Sequence, residues 1–271
     1  CDPIEVVFTS GGTESVNLGV KGLWWARERD RQAIVMPDGE HHATLDTVDW
    51  LAGAQGAEVR SVRLRPDGAI DLDAFVDALP GAAVATALVA NNEVGSVSDV
   101  AAMASASADA GVPLHLDAVG AIAHVALDFG DLRGSGRKSG GLVALSVAGH
   151  KVGAPVGTGA LVVSRHARMG AVLHGGGQQR GLRSGTPDVA GAAALAVALE
   201  LTARERDEEA RRLRTLADRL GTGIRAAIPQ ATLLGAEKHR LPGHVHVLFP
   251  DALGETLLFL LDHSGVHVST G

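Results

Sequence analysis

The sequence predicts an α/β fold: a mostly parallel, doubly wound sheet followed by a smaller α/β domain. Three observations carry this reading. Strand-length apolar segments alternate with helix-length amphipathic ones as far as residue 163. Residues 83–90 and 142–147 are almost wholly apolar, as strands buried on both faces of a parallel sheet must be. The alternation then changes after a long helix, which divides a large domain, 1–190, from a small one, 191–271, with a linker helix at about 189–203.

Taken in order, residues 4–9 read as a strand, followed by the turn Ser10-Gly11-Gly12-Thr13-Glu14-Ser15 and a helix over 16–29. A strand, a glycine turn and a helix start leave free N–H groups at the positive end of a helix, which suits a phosphate. The same residues also serve as an ordinary helix cap. Residues 33–37 form the next strand, and Glu40-His41-His42-Ala43 opens a helix running to about residue 53. Adjacent histidines point apart on a helix, so the pair is not read as a metal site. Residues 58–64 read as a strand, and Asp71 starts a helix ending near 79.

The strand 83–90 ends in Asn91-Asn92-Glu93-Val94-Gly95, which marks either a ligand crevice beyond the strand ends or an Asn-rich turn. A helix over 99–110 precedes His115-Leu116-Asp117-Ala118. A carboxylate closing an apolar strand needs a cation, either a protonated heterocycle or a buried arginine. Residues 130–141 read as a mobile, glycine-rich surface loop. The strand 142–147 then delivers Gly149-His150-Lys151. A lysine walled by glycines and apolar residues there has its neutral amine favoured by desolvation, ready to form a Schiff base, whereas an ordinary loop lysine does not. A strand at 159–163, a basic glycine-rich stretch at 175–186, helices at 189–203 and 204–220, strands at 244–249 and 266–269 and a helix at 254–262 complete the chain.

Composition narrows the function. A net charge of −7 without a Lys/Arg-rich stretch argues against nucleic acid and anionic membranes as partners. The single cysteine, Cys1, excludes an internal disulfide, and the cytoplasm is the expected compartment. The remaining candidates describe one cofactor, pyridoxal 5′-phosphate (PLP). Gly12 and Thr13 suit its phosphate, His41 its ring face, Asn92 its phenolic oxygen, Asp117 its ring nitrogen, and Lys151, beside His150, its aldehyde.

Six motifs in order, the five segments around Gly12, His41, Asn92, Asp117 and Lys151 together with Gly175-Gly176-Gly177-Gln178-Gln179-Arg180-Gly181-Leu182-Arg183-Ser184-Gly185-Thr186, resemble a cysteine desulfurase of the class V aminotransferase family. The resemblance implies an aspartate-aminotransferase-like fold and a homodimer. It also implies conversion of L-cysteine to L-alanine, with sulfur leaving as a persulfide to an acceptor for iron–sulfur clusters or thiolated tRNA, either a cluster scaffold or a tRNA-thiolation protein. By the same resemblance Lys151 and His41 are catalytic, and Gly12, Thr13, His41, Asn92, Asp117, His150 and Lys151 bind the cofactor. Thr186 would reach the phosphate of the partner subunit.

The sequence also departs from the family. The nucleophilic cysteine lies just beyond a turn like Ser269-Thr270-Gly271, and neither it, the N-terminal arm nor the C-terminal carboxylate-binding arginine is among these residues, so a fragment is expected. Gly120 and Ala148 replace a usual glutamine and serine; two lost hydrogen bonds weaken PLP binding by about tenfold to a hundredfold. The alternatives are a selenocysteine lyase, another class V lyase or aminotransferase, and a truncated non-catalytic relative.

Overall fold

The computed structural model describes residues 1–133 and 140–270. Most of the loop expected at 130–141 therefore lies outside the described residues, as does Gly271.

The first half follows the strand–helix alternation. Strand β1 (Val6–Thr9) leads into helix α1 (Gly12–Trp25), β2 (Ala33–Pro37), α2 (His42–Gln55), β3 (Glu58–Val62) and α3 (Leu72–Ala78). Then come β4 (Ala82–Leu88), α4 (Val100–Asp109), β5 (Pro113–Asp117), the short α5 (Phe129–Arg133), β6 (Gly141–Ala148) and β7 (Gly159–Val163). The seven strands form one sheet in the order β1-β7-β6-β5-β4-β2-β3. Strands β6, β5, β4, β2 and β3 are parallel neighbours, while β7 runs antiparallel to both β6 and β1.

Helices cover both faces. Along β2, Ala33 and Val35 join the core beneath α3 and α4, whereas Ile34 and Met36 join the core beneath α1 and α2. Fully buried Phe75 seals α3 against the sheet, a burial that contributes about 1.5–3 kcal/mol. Asp71 and Asp99 cap α3 and α4 by accepting from Ala74 and Ala102. Across the central strands, buried His115 bonds the Thr86 hydroxyl through Nδ1 (2.9 Å) and the Ser146 hydroxyl through Nε2 (2.7 Å). Burial pushes its pKa down to about 3, so the ring is neutral.

The second part departs more from the sequence reading. The helices expected at 189–203 and 204–220 are one helix, α6 (Val189–Ala227), of 39 residues. The change from apolar to charged residues near Arg204 looked like an end, but composition alone breaks no helix; no proline or glycine lies between Gly191 and Gly221. A second sheet pairs β8 (Thr232–Leu234) with β9 (His246–Leu248), and α7 (Gly254–His263) follows. Residues 266–269 form no strand, since no ladder partner lies beside them among the described residues. The expected strand at 4–9 is shortened because Pro3–Glu5 form a 3-10 turn that buries Glu5 against Arg133.

Candidate functional site

The C-terminal ends of β4, β5 and β6 and the N-terminus of α1 converge on an open cleft of about 320 Å³. Gly12, Thr13, His41, Asn92, Asp117, His150 and Lys151, dispersed over 140 positions, all line it. Thr186 does not; it lies exposed outside the cleft.

Helix α1 begins at Gly12 rather than near Val16, because Glu14 completes its first turn. The Glu14 carboxylate accepts from the Ser10 N–H (2.7 Å) and pairs with Arg183 (2.8 Å). Burial tends to raise the Glu14 pKa, but Arg183 and Ser10 outweigh it and hold the carboxyl below its usual range. Arg183 thereby fastens the second glycine-rich stretch to the phosphate-suited end of α1. At Gly12, a Cβ would lie 2.7 Å from Val119 and 3.3 Å from Ala148, so any side chain would fill the cradle between α1 and the strand ends.

His41 sits at the start of α2, where its Nδ1 accepts the Ala43 N–H at 3.0 Å. That bond orients the ring, and in the neutral tautomer it places the proton on Nε2. Asn91 builds the turn beyond β4, its Oδ1 accepting from Glu93 and Val94 and its Nδ2 donating to Gly39. Asn92 is thus left exposed at the cleft, and its carbonyl accepts from the His244 ring at 3.0 Å. Gly95 closes this turn at φ +80°, with His244 Cβ only 2.6 Å from where its own Cβ would stand. The segment leading into β9 therefore anchors the Asn92 turn.

Asp117 is 3% exposed and ends β5. Its Oδ1 accepts the Val119 N–H at 2.8 Å. Burial pushes its pKa up, against the Val119 bond and the attraction of His41. No arginine or lysine pairs with it among the described residues, so the buried-arginine alternative is not realised.

Beyond β6 a 3-10 turn, Gly149–Val152, carries His150 and Lys151 into the cleft. Both are exposed, so the expectation that glycine and apolar walls desolvate Lys151 fails: the turn projects it past the strand end into the cleft mouth. The turn itself is tightly seated. Gly149 N donates to Thr158 O (2.8 Å), and a Cβ at 149 would stand 2.1 Å from the Thr158 hydroxyl. Gly149→Ala is expected to destabilise the fold by about 1–3 kcal/mol, visible as a lower denaturation midpoint; an unchanged midpoint would contradict this packing.

The residue that sequence reasoning passed over is Glu40. Its signal is a glutamate placed just before a capping histidine.

The class-V aminotransferase family profile matches residues 2–271. This chain belongs to the class-V aminotransferases. It is 44% identical over 276 residues to an IscS-like cysteine desulfurase of Mycobacterium tuberculosis, an alignment covering 99% of this chain and 68% of that protein. Among solved structures, it superposes on a NifS-like protein with a TM-score of 0.91 at 29% identity, covering 100% of this chain and 72% of that one. A structure of SspA in complex with cysteine gives a TM-score of 0.67 at 32% identity, covering 74% and 56%. The chain spans about two thirds of the length of the curated relatives it matches.

The family is PLP-dependent, and the donor set here fits that cofactor. An α1 N-terminus with no side chain at Gly12 suits a phosphate. A buried carboxyl without a cation suits a protonated ring nitrogen. A lysine at the mouth suits the aldehyde.

Proposed function

We propose that these residues form the cofactor-bearing part of a PLP-dependent cysteine desulfurase, a sulfurtransferase that converts L-cysteine to L-alanine and passes sulfur to an acceptor protein. The convergence of Lys151, Asp117 and the α1 N-terminus in one cleft carries the reading. The similarity to a curated cysteine desulfurase, and the cysteine bound to the SspA relative, support the substrate.

Bound PLP supplies the electron sink that labilises bonds at the substrate's α and β carbons. This chain's residues do the rest. Lys151 Nζ would hold the cofactor's aldehyde and would be placed to move the substrate's α-proton. Asp117 would face the ring nitrogen as its anionic partner and keep it protonated. The free N–H groups at Gly12 and Thr13, with His150, hold the phosphate. His41, fixed through Nδ1, presents its ring at the cleft with Nε2–H available as a donor. Asn92 binds the ring hydroxyl or the substrate carboxylate. Cys1 is exposed ahead of β1 and does not line the cleft, so the sulfur-accepting thiol is another group.

Two subunits complete the site in this reading, with Thr186 of each reaching the partner's phosphate. Residues 1–190 act as the cofactor domain, and 191–271 belong to the small domain. No helix among the described residues is long and apolar enough to cross a membrane, and we place the reaction in the cytoplasm.

The test is the full-length protein with PLP and L-cysteine, assayed for alanine and sulfide, followed by borohydride reduction and peptide mapping. Alanine formation with a pyridoxyl group on Lys151 supports the proposal; cofactor uptake without alanine overturns the desulfurase reading. Asp117→Asn should retain the pyridoxyl adduct yet lose on the order of 10²- to 10⁴-fold in alanine formation, because removing one partner of a buried charge pair costs about 3–5 kcal/mol. Full activity in D117N would remove Asp117 from the ring-nitrogen role.

A further inference from the structure

Beside the cleft lies a buried carboxyl that the mechanism above does not use. Glu40 is 7% exposed. Its Oε1 accepts the Leu88 N–H at 2.7 Å, while its Oε2 is buried with no partner. The nearby Thr44 hydroxyl also lacks a hydrogen bond. No lysine or arginine pairs with Glu40 among the described residues.

Its position is specific. Leu88 stands in register with Asp117 across β4 and β5, and Leu88 itself lines the cleft. Glu40 also directly precedes His41, the capping residue of α2. One carboxyl therefore joins the turn that carries His41 to the strand end beside Asp117. Two buried carboxylates so placed do not both ionise. Asp117 opens on the cleft, where a cation can meet it; Glu40 does not, so the proton belongs on Glu40.

We propose that Glu40 is a positioning residue of the cofactor cleft: a neutral carboxylic acid that ties the His41 turn to the end of β4 and leaves Asp117 as the anion facing the cofactor ring. This rests on the reading of the cleft as a PLP site. The groups around Glu40 agree with it. Burial, and then the charge of Asp117 on β5, raise its pKa to about 8 against the Leu88 N–H bond. Strand β4 contributes a backbone N–H, α2 contributes the uncharged Thr44, and His41 acts on Asp117. A cation bound over Asp117 cancels part of the repulsion that keeps Glu40 protonated. Cofactor binding must therefore lower the pH at which Glu40 ionises, and by reciprocity ionised Glu40 tightens the ring nitrogen's hold on its proton.

The test uses the full-length protein, free of cofactor and then loaded with PLP. Difference infrared spectra of wild type against E40Q at pH 7 should show the carbonyl stretch of one protonated carboxyl group in the wild type alone. Its loss with rising pH should have a midpoint near 8 in the free protein, shifted lower after PLP is added. E40A leaves the buried Leu88 N–H unpaired and should release PLP about tenfold faster than wild type. E40Q keeps an acceptor for that N–H and should restore slow release. Absence of the protonated-carboxyl band, a midpoint that ignores PLP, or E40A and E40Q that release PLP alike would overturn the proposal. PLP uptake and a shifted midpoint without alanine formation would sink only the desulfurase reading. Failure of the wild type to take up PLP would overturn both.

Discussion

Lys151→Ala should fold normally and carry no covalently held cofactor. The Lys151 side chain is exposed and makes no hydrogen bond among the described residues, so its removal should change stability by less than about 0.5 kcal/mol. Function should collapse. In the proposed mechanism this lysine would be both the nucleophile for the aldehyde and the base at the α-proton, and the proton-transfer role alone would be worth about 10²–10⁴-fold. Borohydride reduction followed by peptide mapping reads the first role, and alanine formation the second. Other described lysines offer no substitute: Lys21 is bonded to Asn17 at 2.7 Å and lies over the Trp50 ring, and neither it nor Lys238 lines the cleft. A pyridoxyl group mapped to Lys21 or Lys238 in wild type would sink the assignment of the site.

The second large effect is in stability against pH. Glu40 titrates near 4.5 when unfolded and near 8 in the fold. Between these values the folded state keeps a proton that the unfolded state has released. The associated stability is present in full below about pH 4.5 and is lost as pH rises towards 8. At about 1.36 kcal/mol per pH unit the loss reaches about 5 kcal/mol.

His115 acts in the opposite direction. Its pKa falls from 6.5 to about 3 in the fold, so its contribution is present above pH 6.5 and is lost as pH falls towards 3. The two slopes oppose one another between pH 4.5 and 6.5, and the Glu40 loss stands out only above that range. E40Q does not titrate at this position. The wild-type deficit relative to E40Q should therefore open above pH 4.5 and level off near 8, measured by denaturant unfolding of cofactor-free protein. Parallel profiles for the two proteins would show that Glu40 is not the titrating group.

Much of the site was legible because its residues sit at recognisable places in local patterns. Gly12 and Thr13 follow a strand and start a helix, Asp117 and Lys151 follow apolar runs, and Asn92 follows another. Parallel-sheet topology then brings such strand ends to one side of the sheet. The misjudgements have a common origin. Lys151 was expected to be walled in, yet exposure depends on how far a turn projects beyond its strand. The continuity of α6 was hidden because a charged surface segment and an apolar buried one obey the same backbone geometry. Glu40 lacked a role because its environment is made by Leu88 and Asp117, residues 48 and 77 positions away.

The sequence by itself determined the order of strands and helices up to β7 apart from the short α5, the family motifs and the identity of the lysine in the cleft, all of which are written in local periodicity and spacing. The tertiary structure alone decided the exposure of Lys151, the anchoring of the Asn92 turn by His244, and the burial of Glu40 behind Asp117. Burial and the loss of solvation are set by groups distant in the chain, so charge state and orientation at the cleft emerge only when those groups meet.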